Sequence, residues 1–172
     1  SGEPLDEVIR IKSTDVGYVR HTRSRFGVGQ RASRADLLRL MLMASDNRAA
    51  MALANNHPGG FSRFVAKMND MARQYGMTYT HFVDPVGMSP SNVSRAFDLV
   101  TLVRLAAQHP LIRKYSTTGE LTLATAARKR KARLQFVRNT NALTRDHDWE
   151  IELSTTGYIS KAGHCLVMQA KV

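Results

Sequence analysis

A single cysteine, Cys165, leaves no partner for an internal disulfide, so an oxidising compartment is neither required nor excluded. Its neighbours Leu166 and Val167 predict a buried strand in which the thiol is a small apolar filler rather than a reactive group. Long apolar runs are missing as well. The longest candidate, Leu37 to Ala44, is broken by Arg39 and falls far short of the ~18 consecutive apolar residues a spanning helix needs. The opening Ser1-Gly2-Glu3-Pro4 offers no basic segment followed by an apolar one, so no signal peptide is read there, and the chain reads as processed or as part of something longer. Acidic residues are scarce. Against 25 Lys and Arg stand 14 Asp and Glu, a formal charge of +11. Such a surplus attracts nucleic acid, anionic lipid heads or anionic wall polymers, and charge alone does not choose among them. Apolar side chains are plentiful at 43 %, enough for a packed core and too many for a disordered chain. At 172 residues, below the ~250 at which chains divide, the expectation is one incomplete domain over residues 1–172.

Residues 1–32 are polar and basic, with Gly17, Gly27 and Gly29 marking turns, and predict extended segments and loops. A strong helix follows, with Ser33 as N-cap and Asp36 three residues on in the manner of a capping box. Leu37, Leu38, Leu40, Met41 and Ala44 form its apolar face. Ser45-Asp46-Asn47 interrupts this face, and these residue types favour caps and turns over helix interiors. A second helix resumes over 48–56, a third spans about 61–75 with Gly76 as its stop, and Ser94 is expected to cap a fourth that Pro110 ends. Residues 79–83 suggest a short strand, and Asp84-Pro85-Val86-Gly87 a turn. Residues 116–134 read as loop, including the basic run Arg128 to Lys131. Trp149, Ile151 and Leu153 alternate with polar residues as in a half-buried strand. Residues 164–172 predict a second strand, paired as a hairpin that places Ser154-Thr155-Thr156-Gly157 at the end of its first strand.

Taken singly, Ser45-Asp46-Asn47 is most simply a helix–helix turn, and Thr155-Thr156-Gly157 a strand end. Their order changes the reading. S-D-N followed by a K-T-G-like triplet is the motif pair of class A β-lactamases and penicillin-binding proteins, serine enzymes whose nucleophile lies in S-x-x-K. The stretch from Ala44 to Ala54, Phe82-Val83-Asp84-Pro85-Val86-Gly87-Met88 with Asn92 and Ser94, Asn139-Thr140-Asn141-Ala142-Leu143, and Ala162-Gly163-His164-Cys165-Leu166-Val167-Met168 are similar to segments of one family. That family is the low-molecular-weight penicillin-binding D-Ala-D-Ala carboxypeptidases and endopeptidases, and within it the penicillin-binding protein 7 type. The resemblance runs from about Leu5 to the C-terminus. It implies an α+β fold, mostly the helical half of a β-lactamase/transpeptidase-like domain plus a β-hairpin of the central sheet. It implies that Ser45 relays protons, that Asn47 fixes the peptide substrate, that Thr155, Thr156 and Gly157 line the edge strand, and that the Tyr158 N–H completes an oxyanion hole. Peptidoglycan stem peptides and β-lactams are the implied partners, the periplasm the implied location, and no cofactor is expected.

The departures from the family pattern carry equal weight. No serine here is followed by lysine three positions on, and the lysine of K-T-G is replaced by Thr155. Without the nucleophile there is no covalent catalysis, and half an oxyanion hole does not replace it. The chain is therefore expected to be inactive as it stands, either as part of a serine D,D-peptidase or as a non-catalytic wall-binding relative. A nucleic-acid binder is the remote alternative. The run from Arg128 to Lys131 has no helix-turn-helix, zinc-finger or aromatic-rich motif beside it, and reads as a solvated loop. The six histidines, at 21, 57, 81, 109, 147 and 164, show no ligand spacing, so no metal is expected, and Asp146-His147-Asp148 reads as a turn. Open hairpin edges are expected to promote self-association.

Overall fold

The computed structural model describes residues 2–19, 21–127 and 130–171, with backbone only at 125–127 and 130–133. The architecture follows from helix signals that are local and strand pairings that are not. Ser33 sits in extended conformation and its hydroxyl oxygen accepts the Asp36 N–H at 3.1 Å, while the same hydroxyl donates to the Asp36 carboxylate at 2.8 Å. This reciprocal cap opens α2 (Arg34–Ala44), whose Leu37, Leu40 and Met43 are fully buried. Helix α3 (Asn47–Asn55) is nearly all small and apolar on its inner side, with Ala49 to Ala54 buried, so it packs close against α2.

Helix α4 (Gly60–Gln74) starts after Gly59 at φ 85°, where an added Cβ would lie 2.8 Å from the Cβ of Arg63. Glycine is therefore required by both conformation and space. Gly76, at φ 72°, follows its C-terminus as the sequence predicts. Helices α5 (Ala96–Ala107) and α6 (Pro110–Ser116) complete the helical layer, with the four-residue α1 (Thr14–Gly17) near the N-terminus.

Two antiparallel sheets flank the helices. In the first, β1 (Val8–Arg10) pairs with β2 (Arg31–Ser33), β2 meets β3 (Glu120–Ala127) through Arg31 and Ala126, and β3 pairs with β4 (Arg130–Arg138). The second is the hairpin of β5 (Glu150–Ile159) and β6 (Gly163–Lys171). The core lies where α2 and α3 meet the first sheet, with Ile9, Ile11, Phe26, Leu123 and Val137 closing on Leu37, Leu40 and Leu53. Buried Arg34 ties the N-terminal segment to this body. It ion-pairs with Glu7 and with Glu3 at 3.3 Å, and Asn56 donates to Glu7 at 3.0 Å.

Several expectations are corrected. Residues 120–138 form a hairpin rather than a loop, because Leu123 and Val137 alternate inward and find the core. Of the basic run, Arg128 and Lys129 lie outside the described residues, while Arg130 and Lys131 begin β4. Pro110 does not merely end a helix. It opens α6 at a position where its missing N–H has no intrahelical partner to lose. Ser94 is not the cap of α5. Arg95 holds that position, and Asp98 collects the Tyr79 N–H and the Thr80 hydroxyl, both at 2.9 Å. No strand forms over 79–83, only a bridge between His81 and Val93. Cys165 is exposed, within a run of three exposed residues from His164 to Leu166 beside the β5–β6 turn. Ser154 to Gly157 lie inside β5 rather than at its end. The α+β class, the four longer helices and the C-terminal hairpin stand as predicted. Among the described residues, no helix is long and apolar enough to cross a membrane.

Candidate functional site

The Ser45-Asp46-Asn47 turn is a tight link between α2 and α3, and its three residues do different work. Ser45 ends α2 in the left-handed region at φ 50°, ψ 41°, the only non-glycine residue with positive φ among those described. Such a conformation costs on the order of 1 kcal/mol and persists only where surrounding contacts enforce it. Asp46 supplies much of that enforcement. Its buried carboxylate caps α3 by accepting the Ala49 N–H at 3.1 Å, and also accepts the Ser24 hydroxyl at 2.8 Å and the Arg25 N–H at 3.0 Å. Arg48 extends the same lock by donating to the Phe26 carbonyl at 2.7 Å. The middle residue is thus structural, which leaves Ser45 and Asn47 turned to a cleft.

The facing wall is β5. The Ser45 hydroxyl donates to the Thr156 carbonyl at 2.6 Å and lies 3.2 Å from the Thr156 hydroxyl. The Thr156 hydroxyl in turn donates to that of Thr140 at 2.5 Å, and Thr140 donates through its backbone N–H to the Met43 carbonyl at 2.9 Å. Three hydroxyls therefore gather between the end of α2 and the strand, with the Ser45 proton on the Thr156 carbonyl and the Thr156 proton on Thr140. The corner 139–141 holds β5 in place. Asn139 donates to the carbonyls of Ser116 and Thr118, both at 2.9 Å, and Asn141 donates to the buried Ser154 hydroxyl at 3.0 Å.

A third wall is the loop 84–92, organised by one carboxylate. Asp84 accepts the N–H groups of Val86 at 2.8 Å, Gly87 at 2.6 Å and Ser89 at 2.8 Å, the Asn92 amide at 2.8 Å and the Tyr18 hydroxyl at 3.0 Å. Burial pushes this carboxyl upward, but the hydrogen bonds from Ser89, Val86, Asn92 and Tyr18 outweigh it and hold it below the usual carboxylate range. Burial, and then the neighbouring carboxylate, push the Tyr18 phenol up. The loop presents Met88, whose sulfur lies 3.9 Å from the Asn47 amide nitrogen.

Together these walls enclose an open cleft of about 1080 Å³. It is lined by Ser45, Asn47, Thr156, Gly157 and Tyr158, so five of the six residues singled out in the sequence meet there. Thr155 does not. It is exposed and paired with Val167, on the opposite pleat from Thr156. Sequence reasoning missed Thr140 as a hydroxyl of this cluster, and Thr22, Arg23 and Lys161 at the cleft's rim. The flanking asparagines marked Thr140, whereas nothing local marks the other three. Among the described residues no three His, Cys, Asp or Glu side chains gather as a metal site.

Residues 6–172 match the family described as D-alanyl-D-alanine carboxypeptidase. The D-alanyl-D-alanine endopeptidase of Pseudomonas aeruginosa is 46 % identical over 169 residues, covering 98 % of this chain and 54 % of the relative. That of Escherichia coli is 42 % identical with the same coverage. The chain thus spans about half the length of the curated relatives it matches. Among solved structures, a Streptomyces DD-transpeptidase superposes with a TM-score of 0.91 at 26 % identity, over 100 % of this chain and 70 % of that one. A D-alanyl-D-alanine carboxypeptidase from Mycobacterium tuberculosis gives 0.82 at 25 %, over 99 % and 63 %.

Proposed function

Because the chain belongs to the D-alanyl-D-alanine carboxypeptidase family, we propose that it carries the substrate-binding part of a periplasmic serine D,D-peptidase that acts on peptidoglycan stem peptides and binds β-lactams. The observation that carries this reading is the hydrogen-bonded contact between Ser45 and Thr156, which joins the two motifs across one cleft with Asn47 beside it. In this reading Ser45 relays protons at the reacting centre, its hydroxyl held by the Thr156 carbonyl. Asn47 holds a substrate carbonyl, the backbone of Thr156 and Gly157 guides the peptide along β5, and the Tyr158 N–H serves as one oxyanion donor. Thr155, where the family has lysine, brings no charge to the site. Within residues 1–172 we place a single domain that binds stem peptides but has no S-x-x-K serine to acylate.

Two measurements test this. Intact-protein mass spectrometry after incubation with a penicillin should show no covalent adduct, and a stoichiometric adduct on Ser45 would overturn the assignment of the nucleophile to another segment. An acetylated L-Lys-D-Ala-D-Ala peptide should bind reversibly, and Asn47→Ala should weaken it by about tenfold, as expected for loss of one hydrogen bond to a buried substrate group. Thr155 favours a second reading, a module that holds stem peptides without cutting them. Release of D-alanine by the protein as its gene encodes it separates the two.

A further inference from the structure

The rim of the cleft carries charge of one sign. Among the described residues Arg23 and Lys161 line it, and no Asp or Glu does. Neither makes an ion pair among the described residues. Arg23 is not on a free tail. Next to it Thr22 donates to the Val19 carbonyl at 2.8 Å, while Ser24 and Arg25 are bonded to Asp46, the centre of the Ser45-Asp46-Asn47 turn. The segment that bears Arg23 is thereby fixed to the turn that bears Ser45 and Asn47. Lys161 sits in the tight turn between β5 and β6, closed by the Ala162 N–H donating to the Ile159 carbonyl at 3.1 Å, with Gly163 at φ 72°. A cleft whose charged groups are all cationic and unneutralised raises the local concentration of anions and favours a ligand that brings its own negative charge.

We propose that Arg23 and Lys161 bind a carboxylate of the peptide in this cleft. The inference rests on the reading of the cleft as a peptide seat. Both side chains are exposed, so each retains its hydration until a ligand arrives, and the contact is strong at low salt and weak at high salt. Arginine presents a planar fork suited to a carboxylate, and lysine adds a mobile point charge.

The test compares two probes by calorimetry, acetylated L-Lys-D-Ala-D-Ala with a free C-terminal carboxylate and the same peptide as its C-terminal amide. The carboxylate form should bind the protein about tenfold more tightly at low salt, and the preference should shrink at 0.5 M salt, roughly the range in which the screening length falls below the reach of the side chains. In the double variant Arg23→Gln, Lys161→Gln the preference should fall below about twofold. Equal binding of both peptides by the unaltered protein, or a preference that survives in the double variant, overturns the rim assignment while leaving the peptide seat intact. Binding of neither peptide overturns the seat, and the rim with it. Both substituted residues are exposed and outside the core, so folding is not at stake.

Discussion

At the scale of single residues, the site depends on a residue that never faces the cleft. Asp46 accepts hydrogen bonds from Ser24, Arg25 and Ala49, and so holds a helix start, the Arg23 segment and the strained Ser45 together. Asp46→Ala removes a helix cap and strands buried donors. It should cost about 2 kcal/mol in urea unfolding, from the typical worth of a cap plus an unsatisfied buried donor. A loss within ~0.5 kcal/mol, the range of ordinary surface substitutions, would show that the carboxylate does not hold the turn. The neighbours 155 and 156 make the opposite point. They are chemically identical, and only the pleat of β5 turns Thr156 to Ser45 and Thr155 outward. No inspection of two adjacent threonines distinguishes them.

At the scale of elements, the loop 84–92 is a wall built on one ionised group. Asp84 is held below the ordinary carboxylate range in the fold, so its contribution to stability is present above the unfolded value of about 3.9 and is lost as pH falls through the lower folded value. Replacement by asparagine should therefore cost more at pH 6 than at pH 3, measured as the difference in urea midpoint between Asp84→Asn and the parent protein. The comparison isolates Asp84 from two other carboxyls held low. Bonds from Arg34 and Asn56 lower Glu7. For Asp98, burial pushes up but is outweighed by bonds from Arg95, Thr80 and Tyr79. A midpoint difference that stays constant with pH would mean that the loop does not depend on the charge. Elements also divide by how visible they were. Helices α2, α3 and α4 were legible, because caps and 3.6-residue periodicity are local. The hairpin of β3 and β4 was not, because its inward residues declare themselves only against α2 and α3. Pro110 misled for a related reason, since the residue that stops one helix also suits the first turn of the next.

At the scale of the whole molecule, two features oppose each other. Apolar side chains are exposed on β4 at Leu134 and Phe136, on β6 at Leu166, and on α5 at Phe97, the last 81 % exposed. Among the described residues, β5 and β6 form a sheet of two strands only. Such edges and faces promote pairing between copies. The formal charge of +11 resists it. We therefore expect the weight-average mass in light scattering to rise with concentration, and to rise further when salt screens the charge. A particle that stays monomeric at high concentration in both low and high salt would remove self-association from the account. By itself the sequence determined the helical half, the Ser45-Asp46-Asn47 turn, the C-terminal hairpin and the family, because these are written in neighbouring residues and in the order of motifs. Only the tertiary structure decided which threonine meets Ser45, that Thr140 joins the hydroxyl cluster, and that Arg23 and Lys161 share one rim. Those relations join residues remote in the chain, and strand pleat and packing, which no local pattern encodes, set them.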